Sequence, residues 1–395
     1  MPRLILFDGR YRDQLLPFTF LMPMAELRVG SFTIREKWES DLDIETGVLP
    51  VDYLKDKFPS HREDDNFIVE GNVLPDNELI EAITNLAPNT ILLKDSKVFA
   101  GRLDKANMEK FASCEDLHVT EKDYNKTVNF LTDKWQIFTR NGQEIEWDLK
   151  RFGPEKANDE LIAQNFVTFP EQFYVEEGAK CRHAFIDATA GPVWLRKNAN
   201  VEPGAMIKGP AVIGENSAVK MGAKIYGPTS TGPWCKIGGE INNSVFHSYS
   251  NKAHDGFIGN SVIGQWCNIG ADTNNSNLKN NYEEVKVWDY TAGSFSKTGL
   301  QFCGLFMGDH TKCAINTMFN TGTTTGVSAN IFGSGFPRTF IPSFSWGGAS
   351  GLKEFRLEKA CETAEKMMQR RKIEFTDADR KIFEHVFNHT QKYRS

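Results

Sequence analysis

The 395-residue chain lacks several features that mark common functional classes. Its seven cysteines are scattered and include no Cys-x-x-Cys pair, which disfavours zinc ribbons and dithiol redox sites, so we expect no resident structural metal. No apolar run reaches the ~18 residues of a membrane span, and the one at the N-terminus is too short for a signal peptide. A net charge of −6 leaves no broad cationic face for nucleic acid or anionic lipid. We therefore expect a cytoplasmic protein that binds neither nucleic acid nor membrane.

A six-residue period dominates the middle of the chain. Branched apolar residues recur every six positions, and two residues before each stands a small or apolar side chain. The branched positions are Leu195, Val201, Ile207, Ile213, Val219 and Ile225. Ordinary amphipathic strands alternate with period two and need no strict six, whereas six residues form one flat side of a hexapeptide β-helix. The period therefore predicts a parallel β-helix with the branched side chains in its lumen.

The chain divides into three regions that differ in composition and sequence pattern. Residues 1–180 alternate apolar, strand-like runs with charged helical stretches, which indicates an α/β domain. Residues 181–350 carry the repeat, which breaks near residue 229 and later resumes in a less regular form. We expect these breaks to be loops that leave the coil. Residues 351–395 carry a helical apolar stripe and are predicted to form a helical cap on the open end of the coil.

The segment 253–278 carries a motif that resembles a known family. A histidine is followed by an aromatic residue and a glycine, then by an Asn-Ile-Gly-Ala run, and then by a further asparagine. In this order the segment is similar to the bifunctional UDP-N-acetylglucosamine pyrophosphorylase/glucosamine-1-phosphate N-acetyltransferases, in particular their divergent archaeal and Bacteroidetes relatives. The resemblance implies a Rossmann-like nucleotidyltransferase domain followed by a left-handed β-helix. In that family the β-helix forms a homotrimer and binds acetyl-CoA between subunits.

The resemblance implies roles for individual residues. His254 falls on the family's catalytic histidine, and an imidazole suits the removal of a proton from an amine that attacks a thioester. The positions that fall on sugar-site residues are Phe257, Asn268 and Asn277. The glycines of the coil that borders the acetyl-CoA site are Gly304 and Gly308. Because Phe257 lacks the hydroxyl of the family's tyrosine, the acceptor sugar stays open.

Several of these residues have a second interpretation. A histidine on a loop is often incidental, and asparagine is the favoured turn residue of such coils. Lys252 either contacts a sugar phosphate or is a solvated surface lysine. The segment 336–348, where aromatic residues alternate with proline, glycine and Arg338, either lines a ligand slot or leads from the β-helix to the helices.

The N-terminal region resembles the nucleotidyltransferase domain in outline only. Of the family's glycine-rich opening loop only Gly9 remains, and Met24 stands in place of the lysine. Either Gln14 or Arg12, depending on the gap, occupies the arginine position. Asn72 replaces an aspartate that binds Mg²⁺. Uridylyl transfer needs positive charge on the phosphates. We therefore expect a weak nucleotide site at Gly9, Arg12, Arg28 and Asn72, with Mg²⁺ bound only if the domain is active.

The sequence thus predicts a sugar-phosphate N-acetyltransferase that uses acetyl-CoA. Its acceptor is expected to be glucosamine 1-phosphate or a related amino sugar, its assembly a homotrimer, and its first domain a degenerate nucleotidyltransferase. Two alternatives stay open. One is a bifunctional enzyme that also forms UDP-N-acetylglucosamine from UTP and the sugar 1-phosphate. The other is a non-catalytic protein that binds a sugar nucleotide.

Overall fold

The computed structural model describes residues 2–394, and the contacts among them divide the chain into two compact units. Unit 1 comprises Met1–Leu15, Leu21–Leu27 and Phe32–Asp133. Unit 2 comprises Leu16–Phe20, Arg28–Ser31 and Lys134–Ser395. Because neither unit is continuous along the chain, the predicted ranges 1–180, 181–350 and 351–395 remain a division by sequence.

Unit 1 is an α/β unit built on a six-stranded mixed sheet. In sheet order its strands are Thr46–Leu49, Arg3–Phe7, Asp65–Glu70, Lys97–Asp104, Thr90–Lys94 and Thr120–Asp123. The first three are parallel, and Lys97–Asp104 runs antiparallel to both of its neighbours. The central strands are nearly continuous runs of buried apolar residues, as expected where both faces of a sheet are covered.

Three α-helices, a short strand and the 3-10 helices Asp13–Leu15, Met24–Glu26 and Asp52–Leu54 also belong to unit 1. The strand is Phe32–Thr33, and the helices are Ile34–Leu42 (α1), Asn77–Thr84 (α2) and Lys105–Ala112 (α3). The hydroxyl of Thr33 and the carboxylate of Glu36 form a capping box that starts α1. Asp76 and Asp104 accept from the first turns of α2 and α3. The predicted α/β character of this region is confirmed.

Most of unit 2 is a left-handed parallel β-helix with three flat faces, as predicted. Face 1 consists of Phe173–Val175, Val193–Leu195, Ala211–Ile213, Thr229–Thr231, Val245–Phe246, Val262–Ile263, Phe306–Met307, Thr324–Thr325 and Phe340–Ile341. Face 2 consists of Lys180–Cys181, Asn200–Val201, Ala218–Val219, Lys236–Ile237, Asn251–Lys252, Asn268–Ile269, Lys312–Cys313, Asn330–Ile331, Ser345–Gly348 and the antiparallel Gly351–Glu354. Face 3 consists of Phe166–Thr168, Phe185–Asp187, Met206–Lys208, Lys224–Tyr226, Glu240–Asn242 and Phe257–Gly259, and it is continued by Asn274–Asn275 and Met318–Phe319.

The lumen is filled by the side chains that the period selects. All six branched residues from Leu195 to Ile225 are at most 2% exposed, and they belong to one continuous apolar cluster. The small residues two positions earlier, such as Ala199 and Ala211, are buried at the same level. Burial of these apolar surfaces is the main source of stability of such a coil.

The predicted loop at the first break of the repeat is wrong, because the coil continues through it. Thr229–Thr231 pairs with the turn before it and the turn after it. Thr231 replaces a branched apolar residue there, and its hydroxyl accepts from the N–H of Gly214 at 2.8 Å.

A long excursion leaves the coil between residues 275 and 306. It contains the hairpin formed by Lys286–Asp289 and Ser294–Lys297.

The outer side of face 1 is covered by other parts of unit 2. These are the strand Arg28–Val29 and the helices Gln136–Thr139 (α4) and Asn141–Phe152 (α5), of which α5 contacts the strands of face 1. The helix Asp159–Ala163 (α6) instead contacts the first strand of face 3. Outward-pointing Trp194, Val212 and Val245 are consequently at most 1% exposed. Strands of faces 2 and 3, by contrast, carry exposed side chains, such as Lys236 on face 2 and Met206 on face 3.

The C-terminal helices lie along the coil and do not form the predicted cap on its end. They are Leu357–Gln369 (α7) and Asp377–His389 (α8), and the predicted capping box of Thr376 and Asp379 starts α8. The Phe383 ring of α8 contacts the rings of His310 and Phe344, which stand on two different turns at the corner between faces 1 and 2. The amphipathic stripe predicted helices that pack with one face on another part of the protein, but it did not specify which part. Among the described helices, none has the length and apolarity needed to cross a membrane.

Candidate functional site

His254 lies at the corner where one turn of the coil passes from face 2 to face 3. It follows the strand Asn251–Lys252 and precedes Phe257–Gly259, and both His254 and the adjacent Asp255 are exposed. The turn is tight, since Gly256 has a φ of +113° and a Cβ atom there would lie 2.2 Å from the carbonyl oxygen of Thr273. The corner therefore presents an imidazole and a carboxylate to solvent on a closely packed backbone.

Lys252 lies inside the lumen, where the predicted contact with a sugar phosphate does not fit. Its register partner on the preceding turn is Ile237, and its side chain is fully buried. The ammonium group donates to the backbone carbonyls of His254 and Asp255. Burial lowers the pKa of Lys252, against the raising effect of nearby Asp255. Lys252 thus holds the corner that carries the exposed histidine.

Phe257 and Asn277 come together on face 3, next to this corner. A Cβ atom on Gly259 would lie 2.5 Å from Cζ of Phe257 and 2.9 Å from Nδ2 of Asn277, so ring and amide converge over this glycine. The Asn277 amide donates to Oδ1 of Asn260 at 2.7 Å. Both side chains are only half-buried, which leaves them accessible to a ligand on face 3.

Asn268 lies on face 2, across the corner from Phe257 and Asn277. It is exposed, and its register partners are Asn251 on one side and Lys312 on the other. Lys312 was not among the predicted site residues. Its ammonium donates to the carbonyl of His310 at 2.6 Å, and burial lowers its pKa to about 8. The sequence offers no simple signal for Lys312, because the long excursion before residue 306 hides its register with Asn268.

Gly304 and Gly308 are buried in the coil, which does not fit the predicted contact with acetyl-CoA. A Cβ atom on Gly304 would lie 2.0 Å from the carbonyl oxygen of Gly259 and 2.4 Å from Nδ2 of Asn275. A Cβ atom on Gly308 would lie 2.7 Å from the carbonyl group of Gly326. Both glycines are therefore required by the close approach of neighbouring turns.

We expect the substitution Gly304→Ala to destabilise unit 2 by about 3 kcal/mol, because the added methyl group would overlap the backbone of Gly259 and the buried side chain of Asn275. Urea unfolding followed by circular dichroism measures this change. Gly47→Ala is the control, since its Cβ atom would meet no atom closer than 3.8 Å. Equal unfolding midpoints for Gly304→Ala and the wild type would contradict the packing assigned to this turn.

In unit 1, two of the predicted nucleotide residues lie at the carboxyl end of the strand Arg3–Phe7. Arg12 donates from Nε to Asp8 at 3.2 Å, and a Cβ atom on Gly9 would lie 2.3 Å from the Glu70 carboxylate. Asp8 also accepts from the backbone N–H of Met24 at 2.8 Å. Burial raises the pKa of both Asp8 and Glu70, against the opposing effect of the neighbouring arginines. The carboxyl end of this strand thus brings two buried carboxylates beside Gly9 and Arg12.

Asn72 and Arg28, the other two predicted nucleotide residues, are both buried and hydrogen-bonded to backbone carbonyls. Asn72 is fully buried, and its amide donates to the carbonyl of Leu131 at 3.0 Å. Arg28 belongs to unit 2, is 4% exposed and donates to the carbonyl of Ser31. Sequence reasoning missed Glu70, although an acidic residue at the carboxyl end of a parallel strand is a recognisable signal for a site.

The donors of this edge do not fit a Mg²⁺ site. Asn72 offers a neutral amide, and the carboxylates of Asp8 and Glu70 lie beside Arg12 and Arg10. Within residues 2–394, no group of three or more His, Cys, Asp or Glu side chains is arranged to hold a metal ion.

The N-terminal region is similar to a family of known proteins. Residues 4–156 match the family model described as sugar nucleotidyl transferase. No curated protein matches the chain.

Solved structures that match the chain include acyltransferases. A Francisella novicida UDP-N-acetylglucosamine acyltransferase is 12% identical, with 57% of this chain and 89% of that chain covered and a TM-score of 0.27. The polySia-specific acetyltransferase NeuO is 13% identical, with 51% and 98% covered and a TM-score of 0.26. An Arabidopsis UDP-N-acetylglucosamine acyltransferase is 11% identical, with 54% and 77% covered and a TM-score of 0.22. TM-scores this low carry no information about the function of this chain.

Proposed function

We propose that this protein transfers an acetyl group from acetyl-CoA to the amine of an amino sugar phosphate, with glucosamine 1-phosphate as the first candidate. His254 is the general base, and the corner between faces 2 and 3 is the site of transfer. The motif around His254 supports this proposal, and the sugar nucleotidyl transferase match of residues 4–156 supports a sugar phosphate as the ligand class.

The observation that carries the proposal is the position of Lys252. The neighbouring lumen positions on the same face are Ile237 and Ile269, so an ammonium group there is costly unless it is fully hydrogen-bonded. It is used to hold the carbonyls of the corner. An exposed imidazole on a fixed backbone is what proton transfer requires, because the base must stay within hydrogen-bond reach of the amine.

The reaction needs few groups. His254 accepts a proton from the sugar amine as the amine nitrogen attacks the thioester carbonyl carbon. The new C–N bond gives a tetrahedral oxyanion, which backbone N–H groups at the corner stabilise. Collapse breaks the C–S bond, and the CoA thiolate leaves and takes up a proton. The products are an N-acetyl sugar phosphate and CoA.

The predicted sugar-binding side chains lie on two different faces of the coil. Phe257 and Asn277 meet the sugar on face 3, next to the corner. Asn268 lies on the other face, so we propose that it serves a site completed by a second copy. Packing of flat prism faces in a homotrimer would supply that arrangement.

The proposal is tested by incubating the protein with acetyl-CoA and a panel of amino sugar 1-phosphates. We expect CoA release to match the amount of N-acetylated sugar phosphate found by mass spectrometry, with glucosamine 1-phosphate among the acceptors. Hydrolysis of acetyl-CoA without acetylated sugar, or no reaction across the panel, would refute the proposed activity.

We further expect no UTP-dependent release of pyrophosphate from this protein, with or without Mg²⁺. Met24 and Asn72 supply neither the cation nor the carboxylate that this chemistry uses. The arginines nearest this edge, Arg12 and Arg10, already form ion pairs with Asp8 and Glu70. A coupled phosphate assay with UTP and N-acetylglucosamine 1-phosphate measures the rate. Robust turnover would establish the bifunctional alternative instead.

A further inference from the structure

A cavity of about 390 Å³ lies at the C-terminal end of the coil. We call it the end cavity, and its polar lining residues are Arg338, Ser345, Ser350, Lys353, Tyr393 and Arg394. The hairpin that connects Ser345–Gly348 with Gly351–Glu354 forms one wall. The segment 336–348, which the sequence left undecided between ligand slot and exit strand, thus borders a cavity.

The end cavity carries uncompensated positive charge. Arg338 and Lys353 are exposed, and neither side chain makes an ion pair or hydrogen bond with any residue between 2 and 394. Arg394 is compensated, because its Nε lies 3.2 Å from the Glu354 carboxylate. Two free cations therefore face one cavity in a chain whose net charge is −6, which favours an anionic ligand there.

Neutral donors stand beside these cations. The backbone N–H groups of Ala349 and Ser350 make no backbone hydrogen bond with the described residues, and the Ser350 hydroxyl is exposed. Adjacent free N–H groups at a turn form a concave donor set for anions. Guanidinium, ammonium, hydroxyl and amide groups together match the several oxygens of a phosphoryl group.

The cavity at the opposite end of the coil lacks this excess of positive charge. It measures about 510 Å³ and is lined by three basic residues and four acidic ones. These are Lys156, Lys180, Arg182, Glu155, Glu160, Glu176 and Glu177. The positive character of the end cavity is therefore a property of its own residues and not of coil ends in general.

We propose that the end cavity is a binding site for phosphoryl groups, with Arg338 and Lys353 as its charged contacts. Its placement also fits the acyl donor, and this link rests on the proposed function. On face 2, four steps separate the strand before His254 from Ser345–Gly348. At about 4.8 Å per step, the rise along the coil between these strands is roughly 19 Å. The pantetheine arm of CoA is about as long as four extended residues, or roughly 14 Å. Together with the diphosphate that follows it, the arm would span this rise.

The experiment measures binding of adenosine 3′,5′-bisphosphate and of inorganic pyrophosphate by isothermal titration calorimetry. We expect the double substitution Arg338→Ala/Lys353→Ala to weaken both ligands by at least about 10-fold, because each lost contact is charge-assisted. The control is Lys180→Ala/Arg182→Ala, which removes the same two residue types from the opposite cavity and is expected to leave both affinities unchanged. Circular dichroism checks that all variants fold.

Failure of the site and failure of the proposed function have different signatures. Equal affinities in the wild type and the Arg338→Ala/Lys353→Ala protein would overturn the site, and so would the absence of binding of either ligand to the wild type. If binding is tight and depends on Arg338 and Lys353 but the protein transfers no acetyl group, the site is supported and the proposed acyltransferase activity is refuted. A rise in the Michaelis constant for acetyl-CoA in the double variant, with little change in kcat, would confirm the link between the two.

Discussion

Replacement of His254 by alanine is expected to lower acetyl transfer by ~10²–10⁴-fold, the contribution of a positioned general base. His254 is exposed at the corner between faces 2 and 3, so its removal leaves no packing defect and the fold should be retained. The measurement is the steady-state rate of CoA release with saturating amino sugar phosphate. Affinity for acetyl-CoA should change little, because the imidazole acts on the amine.

The matched control for this prediction is His183→Ala. Like His254, His183 is exposed and follows a face 2 strand by two residues. It differs in lying on the first turn of the coil and in having a positive φ. We expect wild-type rates for this variant. A His254→Ala protein that works as fast as the wild type would remove the imidazole from the mechanism, and equal losses in both variants would indicate a general effect on the coil.

The second large effect is expected from Lys252→Met. Methionine is unbranched like lysine, one atom shorter, and suits the apolar lumen, but it leaves the carbonyls of His254 and Asp255 without their donor. The fold should persist, whereas acetyl transfer should fall by about 10-fold or more, because a loosely held base is misplaced for part of the time. Circular dichroism and the CoA-release assay together separate stability from turnover.

A double-mutant cycle decides whether Lys252 acts through the corner. Since the lysine positions His254, the combination of Lys252→Met with His254→Ala should be no slower than His254→Ala alone. Ile237→Met alters the adjacent lumen position without touching the corner and should leave the rate unchanged. Additive losses in the double variant would show that Lys252 has an effect independent of His254.

The sequence predicted the coil because lumen positions impose a strict spacing that no other structure needs. From Leu195 to Ile225, every predicted lumen residue is buried. The same reasoning missed the lumen position of Lys252, because the strict spacing breaks after residue 225 and a lysine is almost never fully buried. Only the register of the neighbouring strands shows that Lys252 follows Ile237 in the lumen.

Other features depend on contacts between residues distant in sequence. The Glu70 carboxylate lies beside Gly9, and a single chain offers no pattern that links the two positions. Arg28 was expected near a nucleotide, but its short segment joins unit 2 and buries its guanidinium there. The helices α7 and α8 were correctly predicted as helices, whereas the surface on which they pack depends on the aromatic residues His310 and Phe344 at a corner of the coil.

Thermal unfolding with three ligands tests the central claim most directly. A ligand at 100 times its Kd stabilises the folded protein by about 2.7 kcal/mol, which is readily seen as a rise in Tm. The account predicts that acetyl-CoA raises the Tm, whereas UTP with Mg²⁺ and a UDP-sugar do not. A rise with UTP and Mg²⁺ or with the UDP-sugar, and none with acetyl-CoA, would contradict it.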